Sequence, residues 1–144
     1  MCCCSPVTPY AARLHDMQAC FAVNISGQSL GDADFAVFMD TALRESKLPR
    51  GLLSFEVTET AAVANIVRAE ALIRRLRELG SDVALDDFGR GLSSFANLKN
   101  LQLDYLKIDG YFIRNLASDT VNQAMVTAMI KLARSLNFRV IAEH

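Results

Sequence analysis

The chain has 144 residues, 51% of them hydrophobic and 22% charged, with 7 glycines and 3 prolines, which suits one ordinary domain that buries roughly 70% of its unfolded surface and argues against a long disordered tail. Fifteen Lys and Arg against sixteen Asp and Glu leave a formal charge of -1, so no broad basic field exists to hold DNA through counterion release. No apolar run approaches the ~18 residues of a membrane span, and the start lacks the basic-then-apolar pattern of an export signal.

Taken in chain order, residues 1–19 are an atypical N-terminal segment, set aside from fold reasoning. They hold the run Cys2, Cys3, Cys4, and Cys20 follows them. That spacing fits neither a zinc knuckle nor a disulfide framework, so the expected setting is reduced and cytoplasmic. From residue 20 to residue 144 short apolar runs alternate with longer stretches of helical period. The runs at 20–23, 52–55, 82–85, 103–106 and 138–141 read as buried strands. Between them, 34–47 puts Phe35, Phe38, Met39, Ala42 and Leu43 on one stripe, ahead of Pro49 and Gly51. A second helix at 65–79 carries Ile66, Leu72, Ile73, Leu76 and Leu79, with Gly80 where a left-handed cap is wanted. A third at 119–136 carries Val121, Ala124, Met125, Ala128, Met129, Leu132 and Leu136, with Asn137 as its stop. Met125 and Met129 are expected in the core by the same period.

Buried strands alternating with amphipathic helices mean an α/β fold with a parallel sheet. About five strands at intervals of roughly 30 residues make a little more than half of a (β/α)8 barrel, which needs about 250 residues. The fold expected is thus a partial TIM-type barrel in a single unit.

The residues that follow the apolar runs carry the chemistry. They are Asn24, Glu56, Asp86 with Asp87, Lys107 and Glu143. At the carboxyl ends of parallel strands such side chains converge on one mouth. Asn24 or Asp87 alone could equally cap a following helix. Glu56 and Lys107 are poor caps, and burying unpaired carboxylates costs several kcal/mol or more. One lysine against four acids leaves charge for cations to neutralise, and carboxylates with an amide oxygen suit Mg²⁺ or Mn²⁺. Such a site fits phosphodiester cleavage, with Lys107 orienting water or offsetting charge. Behind the paired aspartates, Phe88, Gly89, Arg90 and Gly91 form a sharply turning loop. Ser93 or Ser94 is placed to cap a short helix running through Leu98.

These pieces together resemble the EAL-domain family, bacterial phosphodiesterases that hydrolyse cyclic di-GMP to the linear dinucleotide pGpG. The matching stretches are Val23-Asn24-Ile25-Ser26, Phe55-Glu56-Val57-Thr58-Glu59-Thr60, Asp86-Asp87-Phe88-Gly89 with Gly91 and Ser93-Ser94, Leu106-Lys107-Ile108-Asp109, and Ile141-Ala142-Glu143. The resemblance implies an EAL barrel lacking its first strand and its last strands. It implies Asn24, Glu56 and Asp86 as metal ligands and Asp87 as a ligand of the second metal. It likewise implies Lys107 beside the attacking water and Glu143 as an acid that supports the metals. Glu59 resembles the glutamate that steadies the glycine loop, the bland alternative being a first-turn acid favoured by the helix dipole. Mg²⁺ or Mn²⁺ in a two-metal site, one ligand of which lies on the missing first strand, is the implied cofactor. Cyclic di-GMP is the implied ligand, and a homodimer and flanking GGDEF or sensor domains are the partners such domains can take.

The chain also departs from the family. It has no Glu-Ala-Leu tripeptide, Arg90 stands where Thr is commonest, and Leu92 stands where an aromatic is usual. Weak or absent turnover by the isolated fragment is therefore expected. The alternatives are a degenerate EAL domain that senses the nucleotide or docks a partner without cutting, and an unrelated barrel half that packs in an assembly.

Overall fold

Short runs rich in Val, Leu, Ile and Phe build the strands of the computed structural model, which describes residues 20–91 and 98–143. The elements are β1 Phe21–Ile25, α1 Gly27–Gly31, α2 Ala33–Ser46, β2 Leu53–Thr58, α3 Glu59–Ala64, α4 Ile66–Glu78, β3 Asp82–Phe88, β4 Tyr105–Ile108, α5 Gly110–Ile113, α6 Thr120–Ser135 and β5 Arg139–Ala142. A single 3₁₀ turn, Leu98–Asn100, precedes β4. The strands form one parallel sheet in the order β1-β2-β3-β4-β5. Sequential order with right-handed crossovers places all the helices on one face, as in a barrel wall, rather than on both faces as in a doubly wound sheet.

The helix-facing side of the sheet supplies Phe55 and Val57 from β2, Val83 and Leu85 from β3, and Leu106 and Ile108 from β4. These meet Leu72, Ile73 and Leu76 of α4 and Val126, Met129 and Ala133 of α6 in one core. Full burial of each Val, Leu, Ile, Phe or Met side chain here is worth about 1.5–3 kcal/mol. The opposite, inner face carries the polar residues.

Each helix starts and stops for a local reason. The Ser26 hydroxyl accepts from Ser29 N to open α1, and Asp32 accepts from Asp34 N to open α2. Asp119 accepts from Val121 N and Asn122 N to open α6. The left-handed residues Lys47, Gly80 and Asn137, at φ 49°, 97° and 61°, follow α2, α4 and α6.

The structure corrects several boundaries. Each strand runs further toward its carboxyl end than its apolar run, so Asn24, Glu56, Asp86, Asp87 and Lys107 lie within strands, and Glu143 alone stands just past one. Reading apolar runs stops a strand at its first polar residue, although alternation carries the backbone on with that side chain turned inward. Strand β4 also starts later than residue 103, because the Asp104 carboxylate accepts from Val83 N at 2.9 Å. Val121, Ala124, Met125 and Ala128 of the stripe expected on α6 face outward, and so does Phe38 of α2. The face that α6 turns to the core is instead the one that carries Asn122, Val126, Met129 and Ala133. The short helices α1, α3 and α5 are additions to the elements read from periodicity. Residues 1–19, the Cys2-Cys3-Cys4 run among them, and the capping expected of Ser93 or Ser94 lie outside the described residues.

Candidate metal and catalytic centre

The site grows from a defect in the β3–β4 ladder. Leu85 pairs with Leu106 and Phe88 pairs with Ile108, so Asp86 and Asp87 together stand opposite the single residue Lys107. Two residues against one is a β-bulge, and Asp87 takes a left-handed φ of 55° within it. The extra residue lets Phe88, 1% exposed, return to the core. Consecutive aspartates can thereby serve one mouth. One carboxylate oxygen from each of Asp86, Asp87 and Glu143 lies within 4.8 Å of the others.

Lys107 stands at the centre. Its Nζ is 2.7 Å from Glu56 Oε2, 3.1 Å from Asp86 Oδ1 and 2.7 Å from Glu143 Oε1. Burial alone would lower its pKa. The hydrogen bonds to Glu143, Glu56 and Asp86 outweigh that and hold the ammonium well above the ordinary lysine range. Glu143 is pushed up by burial and by Asp86, against the pull of Lys107. The Asp87 carboxyl is also pushed up, first by burial, then by Asp109 and Asp86, with Arg90 opposing. The cluster therefore carries more negative charge than its one lysine balances. Asn24 stands in register with Glu56 across the β1–β2 ladder, which puts both on the inner face; its helix is opened by Ser26, so Asn24 is not the cap.

Glu59 is the first residue of α3 and is 3% exposed. Its Oε2 accepts from Gly89 N at 3.0 Å and from Gly91 N at 3.1 Å. It is thus both a first-turn acid and a brace for the glycine turn. Gly89 sits at φ 102°, and a Cβ there would lie 2.6 Å from Met129 Cε and 2.7 Å from Phe112 Cε2. Asp109 closes the stretch Leu106-Lys107-Ile108-Asp109, and its role emerges only in the structure. It is buried, caps α5 by accepting from Tyr111 N at 2.7 Å, and meets Arg90 Nε at 3.3 Å. An Asp directly after a strand and before Gly-Tyr-Phe is a legible capping signal; the contact with Arg90 is not.

The EAL domain family model matches residues 6–144. The chain belongs to the EAL domain family. Cyclic di-GMP phosphodiesterase PdeF of Escherichia coli (strain K12) is 41% identical over 124 residues, which are 86% of this chain and 17% of PdeF. Cyclic di-GMP phosphodiesterase PdeA of Borreliella burgdorferi is 35% identical over 123 residues, 85% of this chain and 18% of that protein. Among solved structures, the PaMucR phosphodiesterase complex with c-di-GMP matches with a TM-score of 0.79 and 33% identity over 92% of this chain and 55% of that one. The FimX EAL domain matches with a TM-score of 0.82 and 27% identity over 94% and 55%. This EAL chain thus spans under a fifth of those two curated relatives and about half of those two solved domains. The expected α/β fold of TIM-barrel type is the fold of these neighbours.

The donor chemistry of the EAL chain fits a divalent cation. Asp86, Asp87 and Glu143 offer three oxygens at ligand spacing, and hard oxygen donors with excess negative charge are what Mg²⁺, Mn²⁺ and Ca²⁺ take. Among the described residues no helix is long and apolar enough to cross a membrane.

Proposed function

We propose that this chain supplies the catalytic wall of a metal-dependent phosphodiesterase that hydrolyses cyclic di-GMP to linear pGpG. The observation that carries the reading is the bulge at Asp86 and Asp87, where the Asp86 carboxylate meets Lys107 beside Glu56 and Glu143, and Asp87 brings an oxygen within 4.8 Å of those offered by Asp86 and Glu143. Asn24, Glu56, Asp86 and Asp87 are the residues to hold two Mg²⁺ or Mn²⁺ ions, with Glu143 in support. When bound, such ions acidify water and neutralise charge building on the phosphoryl oxygens. Lys107, fixed by three carboxylates, keeps its proton and presents a positive charge beside the reacting phosphate. Glu59 keeps the Phe88, Gly89, Arg90 and Gly91 turn in place. Water adds at phosphorus and one ring linkage opens.

Flanking GGDEF or sensor domains in a parent protein and a cytoplasmic setting belong to the same proposal and rest on the family membership. A homodimer is part of the same proposal.

The test joins this chain to the remaining barrel strands of a relative and follows pGpG by chromatography with Mn²⁺ or Mg²⁺. Product that disappears in Glu56→Gln and Asp86→Asn is the expected result. No product from the intact barrel, or product that survives both substitutions, overturns the catalytic reading. Cyclic di-GMP bound in the presence of a chelator, without turnover, would mark the chain as a sensor instead.

A further inference from the structure

We infer that Arg90 is a positioning residue: its ion pair with Asp109 latches the turn after β3 onto the start of α5 and so keeps Asp86 and Asp87 aimed into the mouth. The inference rests on reading that mouth as a divalent-cation site.

The turn leaves the sheet through two positive-φ residues, Asp87 at 55° and Gly89 at 102°. Its own backbone bond, Arg90 N to Asp87 O, is long at 3.4 Å. Something outside the turn must therefore hold it. Glu59 of α3 does so at one point, through Gly89 N and Gly91 N. A single carboxylate oxygen is a pivot, about which a short turn can still rock. Arg90 supplies a second anchor on another element. Its Nε lies 3.3 Å from Asp109 Oδ2, while Asp109 Oδ1 is tied to Tyr111 N and Asp109 N donates to Phe88 O at 3.3 Å. Asp109 is therefore immobile and buried, whereas the Arg90 side chain is 64% exposed and reaches in from solvent. Two anchors on α3 and α5 fix the orientation of the turn as well as its place.

The pair also sets the one cation of the turn directly against the buried Asp109 carboxylate, on a different element from Glu59. Cation sites hold their ligands within narrow distances, so a small rotation of β3's end is felt there.

Amide hydrogen exchange at Gly89 and Gly91, measured by NMR on the metal-free chain, and Mn²⁺ binding, measured by calorimetry, test the latch in Arg90→Ala, Arg90→Lys and Asp109→Asn. In Arg90→Ala the two amides should exchange about threefold to fivefold faster, the scale of an ion pair with an exposed member, and Mn²⁺ affinity should fall several-fold. Arg90→Lys should restore most of both, and Asp109→Asn, which keeps the cap, should behave like Arg90→Ala. Unchanged exchange in Arg90→Ala overturns the latch, as does faster exchange with unchanged Mn²⁺ affinity, or a lysine variant as loose as the alanine one. A wild-type chain that binds no Mn²⁺ would overturn the cation-site reading, and the exchange rates would still decide the latch.

Discussion

Lys107 of β4 and Glu56 of β2 meet at 2.7 Å although a whole strand separates them. The intervening residue in register with Glu56 is Ala84, small and 1% exposed, so two long side chains can cross β3 above it. The pair fixes where positive and negative charge stand in the mouth, and the first expectation follows from it.

Lys107→Met removes the cation that Glu56, Asp86 and Glu143 share. Breaking a buried pair by removing one member leaves uncompensated charge, a cost of 3–5 kcal/mol when burial is complete; the three carboxylates keep some contact with water, so a loss of about 1–3 kcal/mol is expected. Added Mn²⁺ should recover part of it. Urea unfolding with and without Mn²⁺ checks this, and equal stability of variant and wild type would contradict the central role given to the ammonium.

Glu56→Gln and Asp86→Asn should each weaken Mn²⁺ binding tenfold or more, about 1.4 kcal/mol. Asn24→Ala should weaken it less while leaving stability unchanged, since Asn24 is exposed on β1. Calorimetric titration of the three variants separates ligands from bystanders: an Asp86→Asn chain with wild-type affinity would remove Asp86 from the cation site.

The pH dependence has a defined sign. Asp87 and Glu143 are both raised above the ordinary carboxylate value, burial being the first cause for each. A raised carboxyl holds its proton more tightly in the folded chain, so its contribution is complete below the unfolded value and is lost as pH rises through the folded one. In metal-free buffer Asp87→Asn should therefore flatten the decline of stability from about pH 4 upward relative to wild type. Mn²⁺, which favours the charged forms, should shrink the same decline in wild type. Parallel stability curves for the two proteins would refute this assignment.

Gly89→Ala tests the turn. An added Cβ would sit 2.6 Å from Met129 Cε and 2.7 Å from Phe112 Cε2, at a φ of 102° that side chains rarely adopt. Steric and backbone strain together should cost about 1–3 kcal/mol. Thermal unfolding reads this directly, and an alanine variant as stable as wild type would mean that the turn is free to move.

Much of the architecture is legible in the sequence because hydrophobic burial imposes periods. The stripes that include Leu72, Ile73 and Leu76, and Met129 and Leu132, locate the helices within a residue or two, and Gly80 and Asn137 end them. Strand ends are less legible, since Asn24, Glu56 and Lys107 look like loop residues until the inner face is known to be polar. The membership of the acidic group was readable from residue type and position after each apolar run. Its geometry was not. Nothing in Asp86-Asp87-Phe88 shows that the ladder takes in an extra residue there, because a bulge is settled by what the neighbouring strand offers. The tie between Arg90 and Asp109 is equally hidden, depending on α5 turning back toward the end of β3.

The two-against-one pairing opposite Lys107 makes β3 sensitive to parity. A one-codon deletion at either aspartate would leave a regular strand, with its hydrogen bonds improved, yet it would take away one of the two adjacent acids that the mouth needs. A conservative swap at either position, by contrast, leaves the count intact. Here the number of residues matters as much as their kind, and a sequence variant that looks neater on paper would be the more damaging one.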